Sequence, residues 1–185
     1  MALVAAPAFA ENGHAAWLRY APLAPDAAAR AGAEVPRALY RLGDEVPLQR
    51  AEDELRKGVQ GMLGRPLEPV NALPASGAVV VGTLASIRAA APALAPAGEL
   101  PADAFWLRTV HQGNASFTVI AGGDVRGTLY GAFAWLRKVA QGELLDPLDD
   151  REVPYAPVRW VNQWDNLNGT IERGYGGASL FWTLL

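Results

Sequence analysis

Two helical stripes set among short β-branched runs constrain the fold of this 185-residue chain more than any other feature. Over Pro47–Leu63 the apolar residues Leu48, Ala51, Leu55, Val59 and Met62 recur every three or four positions, the spacing of one buried helix face. Pro47 stands in the first turn, where its missing N–H costs nothing, and Gly64 follows as a stop. Glu52, Asp53, Arg56 and Lys57 fall on the other face as a solvated surface. A second stripe, Val125, Leu129, Phe133, Leu136 and Ala140, runs through Val125–Gln141 between the capping residue Asp124 and Gly142. Strand runs lie around Ala78–Thr83, Ala104–Val110 and Ser116–Ala121, the last two separated by the hairpin-type turn Gln112-Gly113-Asn114. The pattern predicts an α+β fold in two layers: a mostly antiparallel sheet with both helices on one face.

Shorter segments are read less sharply. Ala15–Tyr20 and Ala38–Leu42 are strand candidates, while Ala21–Pro36, rich in Ala and Pro, reads as loop. Leu84–Pro96 reads as a short helix and then loop. Leu144–Pro157 carries Asp146, Asp149, Asp150, Arg151 and Glu152 between prolines with no apolar frame, which makes a solvated interdomain linker of it. The expected organisation is then a leader remnant at 1–10, an accessory domain at 11–143, the linker at 144–157 and a second domain opening at 158–185.

Composition removes several function classes. A formal net charge of −3 gives no basic footprint for nucleic acid, and no apolar run is long enough for a membrane span. There are no cysteines, so thiol nucleophiles, disulfides and cysteine zinc sites are out. Only His14 and His111 are present, too little for a histidine metal site or a Ser/His/Asp triad, and both read as surface residues. Gly122-Gly123-Asp124-Val125-Arg126-Gly127 passes from strand to helix but lacks the glycine and lysine spacing of a phosphate loop, so it reads as a tight turn with a helix cap. Met1–Ala10, small and apolar and ending Ala8-Phe9-Ala10, matches the tail of a secretory leader and points to export with cleavage after Ala10.

Chemistry concentrates in Arg159–Tyr175, which reads Arg-Trp-Val-Asn-Gln-Trp-Asp-Asn-Leu-Asn-Gly-Thr-Ile-Glu-Arg-Gly-Tyr. Buried amides and carboxylates each need a partner, so a plain core strand is a poor use of these residues. A sugar site uses them well. Flat rings lie on C–H faces, amides and acids read hydroxyls, and Arg forks onto a carboxylate. Composition alone leaves this equal with an ordinary strand and loop carrying capping polars.

Val158–Asn166 followed by Gly169–Gly177 resembles the start of the catalytic barrel of α-glucuronidases of glycoside hydrolase family 67. Arg126-Gly127-Thr128-Leu129-Tyr130-Gly131 resembles the matching turn in the accessory domains that precede such barrels. The resemblance implies that Val158–Trp164 is the first strand of a (β/α)8 barrel, truncated here, since such a barrel needs on the order of 200 residues. It implies hydrolysis of the α-1,2 bond of (4-O-methyl)glucuronic acid on a uronic-acid-bearing xylo-oligosaccharide, with inversion, carboxylate acid and base, and no cofactor. The acid and base come from later barrel strands, so no catalytic residue is assigned in this chain. Trp164, Asp165, Asn166, Glu172 and Arg173 are implied as the wall of the glucuronic acid pocket, either touching sugar or holding the loop. Arg173 has a second reading, an ion pair with Glu172 or Asp165. A homodimeric parent enzyme is compatible with the resemblance. The alternative function is a non-catalytic carbohydrate-binding or interaction domain at 11–150. Against it, Trp17, Trp106 and Trp135 all fall on element positions that suit core residues, not an exposed aromatic ladder.

Overall fold

The structure is a computed structural model that describes residues 18–160, 164–172 and 176–179. These fall into two compact units, Leu18–Tyr155 and a unit to which residues 156–185 belong. Among the described residues no helix is long and apolar enough to cross a membrane.

The first unit is built on one six-stranded sheet. Its strands are β1 (Ala38–Leu42), β2 (Glu68–Val70), β3 (Val79–Thr83), β4 (Phe105–Gln112), β5 (Ala115–Gly122) and β6 (Asp149–Glu152), in the order β2-β1-β3-β5-β4-β6. The helices are α1 (Pro25–Glu34), α2 (Val46–Leu63), α3 (Leu84–Ala90) and α4 (Val125–Gln141), with a 3-10 turn at Pro92–Leu94.

The α+β architecture is as expected, and α2 and α4 do share one face of the sheet. The direction of the strands corrects the sequence reading. β1 pairs in parallel with β2 and β3, and β3 with β5, whereas β4 pairs antiparallel with both β5 and β6. β4 therefore runs alone against the others, and the sheet is mixed, not mostly antiparallel. The cause is connectivity. The crossovers through α2 (β1 to β2) and α4 (β5 to β6) keep those strands parallel, whereas the chain reverses on both sides of β4, through the α3 segment before it and the tight β4–β5 turn after it. Gly113, at φ +60°, makes that turn.

Strand periodicity divides the core in two. Val79 and Val81 of β3 face α2 and α4 together with Leu39, Leu107 and Ile120, against Leu55, Val59, Trp135 and Val139. Ala78 and Val80 face the other way, with Phe117, Val119 and Ala121, against Leu84, Ile87 and Leu94 of α3 and the 3-10 turn. A third, thinner layer thus covers part of the second face, where two layers were expected. Thr83 starts α3 by accepting from the Ser86 amide at 3.1 Å.

Each long helix shows its determinants. α2 buries every residue of its expected stripe and ends on Gly64 in the left-handed conformation at φ +70°. α4 starts on Asp124, whose carboxylate accepts from the Gly127 amide at 2.7 Å, and ends on left-handed Gly142. Of the expected stripe only Leu136 is buried, and Ala140 is exposed. Thr128, Gly131, Ala132, Trp135 and Val139 are buried, while Val125, Leu129 and Phe133 are only partly so. Small residues let this helix approach the sheet closely: a Cβ on Gly131 would meet Ile120 at 3.0 Å and Phe105 at 3.1 Å. Where the two helices cross, a Cβ on Gly58 would meet Leu136 at 2.6 Å.

Three segments depart from the reading. Ala21–Pro36 was expected as loop, yet Pro25–Glu34 is helix, since Pro25 suits a first turn and the alanines that follow are strong helix formers. Leu18–Tyr20 is irregular and not strand, and Ala15–Trp17, like His14 and the leader Met1–Ala10, lies outside the described residues. The Tyr20 hydroxyl donates to Glu54 at 2.8 Å, and burial, with that carboxylate, holds the phenol above its ordinary value. Leu144–Pro157 was expected as a solvated linker, but it supplies β6 and puts Leu145 and Leu148 into the core. Its charges have partners on the sheet and α4. Asp146 meets His111 at 3.0 Å, Asp149 accepts from the Trp106 indole at 2.6 Å, and Asp150 meets Lys138 at 2.8 Å. Asp150 and Glu143 hold the Lys138 ammonium above its usual value.

Thr109 clips this segment down. Its hydroxyl donates to the Leu145 carbonyl at 3.0 Å and accepts from the Leu148 amide at 3.1 Å. Thr109→Val keeps the shape and strands both backbone groups, at a cost of about 1–3 kcal/mol. Amide exchange over Leu145–Glu152 should speed up while that of α2 is unchanged; equal acceleration everywhere would show that the clip is not local.

Candidate functional site

The first unit offers one place where ligands gather in sheets of this kind, the carboxyl ends of β1 and β3, whose connections leave in opposite directions. It is filled. The Ser86 hydroxyl lies 3.4 Å from the Leu42 carbonyl, and the buried Thr128 hydroxyl donates to the Gly82 carbonyl at 3.1 Å. A Cβ on Gly82 would come within 2.9 Å of the Leu42 side chain. Beside it, Arg41 is spent on Glu52 at 2.5 Å and Asp44 at 3.0 Å. The glycine-rich turn into α4 has no room for a phosphate either. A Cβ on Gly123 would sit 1.9 Å from the Pro101 carbonyl, and Asp124 already occupies the helix N-terminus. Those glycines serve close backbone packing, as the tight-turn reading required. Among the described residues no group of three or more His, Asp or Glu is placed to hold a metal.

The second unit holds the aromatic and amide motif. Val158–Trp160, expected as the opening of a barrel strand, is not in a strand, and Val161–Gln163 lie outside the described residues. Exposed Val158 and Trp160 follow from this. From Trp164 onward the chain forms a small hairpin. Asp165 pairs antiparallel with Ile171, the Gly169 amide donates to the Asn166 carbonyl at 3.0 Å, and the Asn166 amide donates to the Thr170 carbonyl at 2.7 Å. Gly169 takes φ +79°, the left-handed residue that a three-residue hairpin loop needs. A second bridge, Thr170 to Ala178, adds a third short segment.

The candidate residues sit at the open end of this hairpin. Trp164 and Glu172 are joined by the Glu172 amide donating to the Trp164 carbonyl at 2.8 Å. The Trp164 side chain is 56% exposed. Glu172 takes φ +56°, a conformation rare outside glycine that costs of order 1–3 kcal/mol and tends to mark functional sites. Asn166 is what holds it there: its side-chain amide donates to the Glu172 carbonyl and, at 2.9 Å, to the Thr170 hydroxyl. Asn168, not singled out from sequence, accepts from the Thr170 amide at 3.1 Å and its hydroxyl at 2.7 Å. The spacing Asn-x-Asn-Gly was the signal that would have found this loop. Asp165 accepts from the Ser179 hydroxyl. Four of the five candidates therefore stand within one hairpin, with Asn166 bonded across it and Asp165 bonded to Ser179. Arg173 lies outside the described residues, as do Gly174 and Tyr175.

Similarity to known proteins identifies the family. Residues 16–135 match the model of the glycosyl hydrolase family 67 N-terminus, and residues 138–184 match that of the family's middle domain. The chain belongs to glycoside hydrolase family 67. It is 41% identical over 176 residues to a probable alpha-glucuronidase A of Aspergillus terreus, covering 93% of this chain and 20% of that protein. It is 38% identical over 187 residues to an alpha-glucuronidase of Hypocrea jecorina, covering 95% and 22%. The alpha-glucuronidase A of Aspergillus tubingensis is similar at 38% over 183 residues, covering 98% and 21%. The chain thus spans about a fifth of the length of these relatives. Among solved structures, a family GH115 4-O-methyl-alpha-glucuronidase overlaps 56% of this chain and 13% of its own at TM-score 0.46 and 24% identity, too slight a likeness to define the fold.

Proposed function

We propose that the chain is part of an exported α-glucuronidase of xylan breakdown. It would cleave the α-1,2 bond of glucuronic or 4-O-methylglucuronic acid on xylo-oligosaccharides with inversion, and the 164–172 hairpin would form one wall of the uronic-acid pocket. The observation that carries this is Trp164, exposed and joined through its carbonyl to the amide of strained Glu172, whose own carbonyl accepts from the Asn166 side chain. These bonds hold the backbone that carries the ring, and an exposed indole on a held backbone is placed to meet a ligand. In this reading Trp164 lies on the C–H face of the uronic acid, Glu172 and Arg173 meet its hydroxyls or carboxylate, and Asp165 and Asn166 hold the wall. The general acid and base come from the four-fifths of the relatives that this chain does not span. Two carboxylates suffice for that chemistry, so the reading calls for no cofactor. Export rests on the apolar Met1–Ala10 stretch alone.

The test is kinetic, in a longer protein carrying this segment and a complete barrel. Losing the ring contact removes about 1.5–3 kcal/mol of transition-state binding, so Trp164→Ala should lower kcat/KM on aldouronic oligosaccharides about ten- to a hundredfold. Unchanged kcat/KM would take Trp164 out of the pocket. A polypeptide limited to the present 185 residues should release no glucuronic acid; turnover above the uncatalysed rate would place an acid or base within it.

A further inference from the structure

The second face of the sheet carries a feature that the proposed pocket does not use. α3 lies over β1, β3 and β5. On β4 and β6 the same face is bordered by the segment before β4, whose Leu100 packs with Trp106 and whose Glu99 carbonyl takes Arg151. Register fixes which side chains lie on it: Trp106 stands opposite Arg151 and Arg108 opposite Asp149, and residues directly paired across antiparallel strands share a face. Trp106 and Val110 pack against the cluster on this face, which places Arg108 between them on it too.

The chemistry of this patch is unbalanced. The Trp106 indole is partly exposed and held in place by its bond to Asp149 at 2.6 Å. Gly98, 3.8 Å from the ring if it carried a Cβ, lines one side. Arg88 is neutralised by Glu99 at 2.9 Å, and Arg151 reaches the Glu99 carbonyl at 3.1 Å. Arg108 is half-buried and has no hydrogen-bond or ion-pair partner among the described residues. Its cross-strand neighbour Asp149 has turned one oxygen to the indole instead. Counting Asp149 and Glu99 against Arg88, Arg108 and Arg151, the patch keeps one cation in excess, beside an immobilised aromatic ring.

We propose that this patch is an accessory binding site for a carboxylate-bearing pyranose: the ring lies against the Trp106 indole, and the carboxylate takes the guanidinium of Arg108, with Arg151 beside it. A planar guanidinium without a partner is matched by a carboxylate more closely than by any hydroxyl, and a flat ring suits a sugar's C–H face. The site belongs to the Leu18–Tyr155 unit and is independent of the hairpin assigned above.

The experiment is titration of the full 185-residue chain, labelled with nitrogen-15, with sodium glucuronate. D-glucose and sodium chloride at equal ionic strength serve as controls. The indole N–H resonance of Trp106, assigned by its loss in Trp106→Phe, should shift saturably with glucuronate and not with either control. Arg108→Gln should weaken the apparent Kd about tenfold or more, and Arg108→Lys, which keeps the charge without the fork, should fall between. Trp164→Ala should leave this titration unchanged, so a failure here and a failure of the hairpin reading are told apart. Equal shifts with glucose, no saturation, or an unaltered Kd in a folded Arg108→Gln chain would overturn the proposal.

Discussion

Trp135→Ala should remove about 3–5 kcal/mol of stability, the usual cost of emptying a large aromatic site in a core. Trp135 is fully buried where α4 meets α2 and the sheet, among Leu55, Val59, Val79 and Ile120. Domains of this kind hold only about 5–15 kcal/mol in total, so the variant sits near the edge of folding. With a urea dependence of about 1–3 kcal/mol per molar, the midpoint should fall by roughly 2 M. A second variant separates volume from polarity. The indole nitrogen of Trp135 is buried and has no hydrogen-bond partner among the described residues. An orphaned buried donor costs about 1–3 kcal/mol. Trp135→Phe deletes that donor and gives back much of the volume lost in the alanine variant, so the two terms oppose. Its stability should stay within about 1 kcal/mol of the parent. A phenylalanine variant as damaged as the alanine one would show that the indole nitrogen is satisfied and that the whole ring is needed.

What could be read ahead of the structure divides by whether packing is done by large side chains. α2 was legible because five apolar residues make its contacts and Gly64 ends it. The limits of α4 were legible from Asp124 and Gly142, and so was Leu136, but the rest of its buried face was not, because Gly127, Gly131 and Ala132 lie against the sheet without a hydrophobic signal and the face turns toward Trp135 and Val139. α1 escaped notice for a related reason: it buries only Ala31, so no stripe marks it. β6 escaped because its residues are Asp, Asp, Arg and Glu. A strand at a sheet edge pairs on one side only and tolerates charge, and here those charges are spent on Trp106, Lys138 and Arg137. The site divides in the same way. Its residue types suggested polar recognition, and Trp164 stands exposed. Which amides bond across the hairpin depends on its register, and that is set by Gly169 and Asn168, residues read for their conformation and not for their chemistry.

The glycines of α1 and α4 should respond to the same substitution with opposite signs. Helix propensity alone says that Gly→Ala gains up to about 1 kcal/mol inside a helix. At Gly32 of α1 nothing lies within 4 Å of an added Cβ, so the propensity term stands unopposed. Gly32→Ala should raise stability by about 0.5–1 kcal/mol. Gly127 is buried in the first turn of α4, and an added Cβ there would lie 2.2 Å from the carbonyl oxygen of Ala104 and 3.1 Å from its carbon. That neighbour is backbone at the entry to β4, held by the Gly123 amide donating to the same carbonyl at 2.9 Å, so it cannot swing aside as a side-chain tip would. Forced overpacking of this kind costs about 1–3 kcal/mol, and moving Ala104 also breaks its bond from Gly123, so the loss outweighs the propensity gain. Gly127→Ala should lower stability by about 2 kcal/mol, and the urea midpoints of the two variants should lie on opposite sides of the parent. The two substitutions are chemically identical, so the denatured chain contributes much the same to both and the difference reports the folded contact. If both variants were stabilised, α4 would stand further from the Ala104 backbone than 2.2 Å implies, and the close approach of this helix to the sheet would have to be given up.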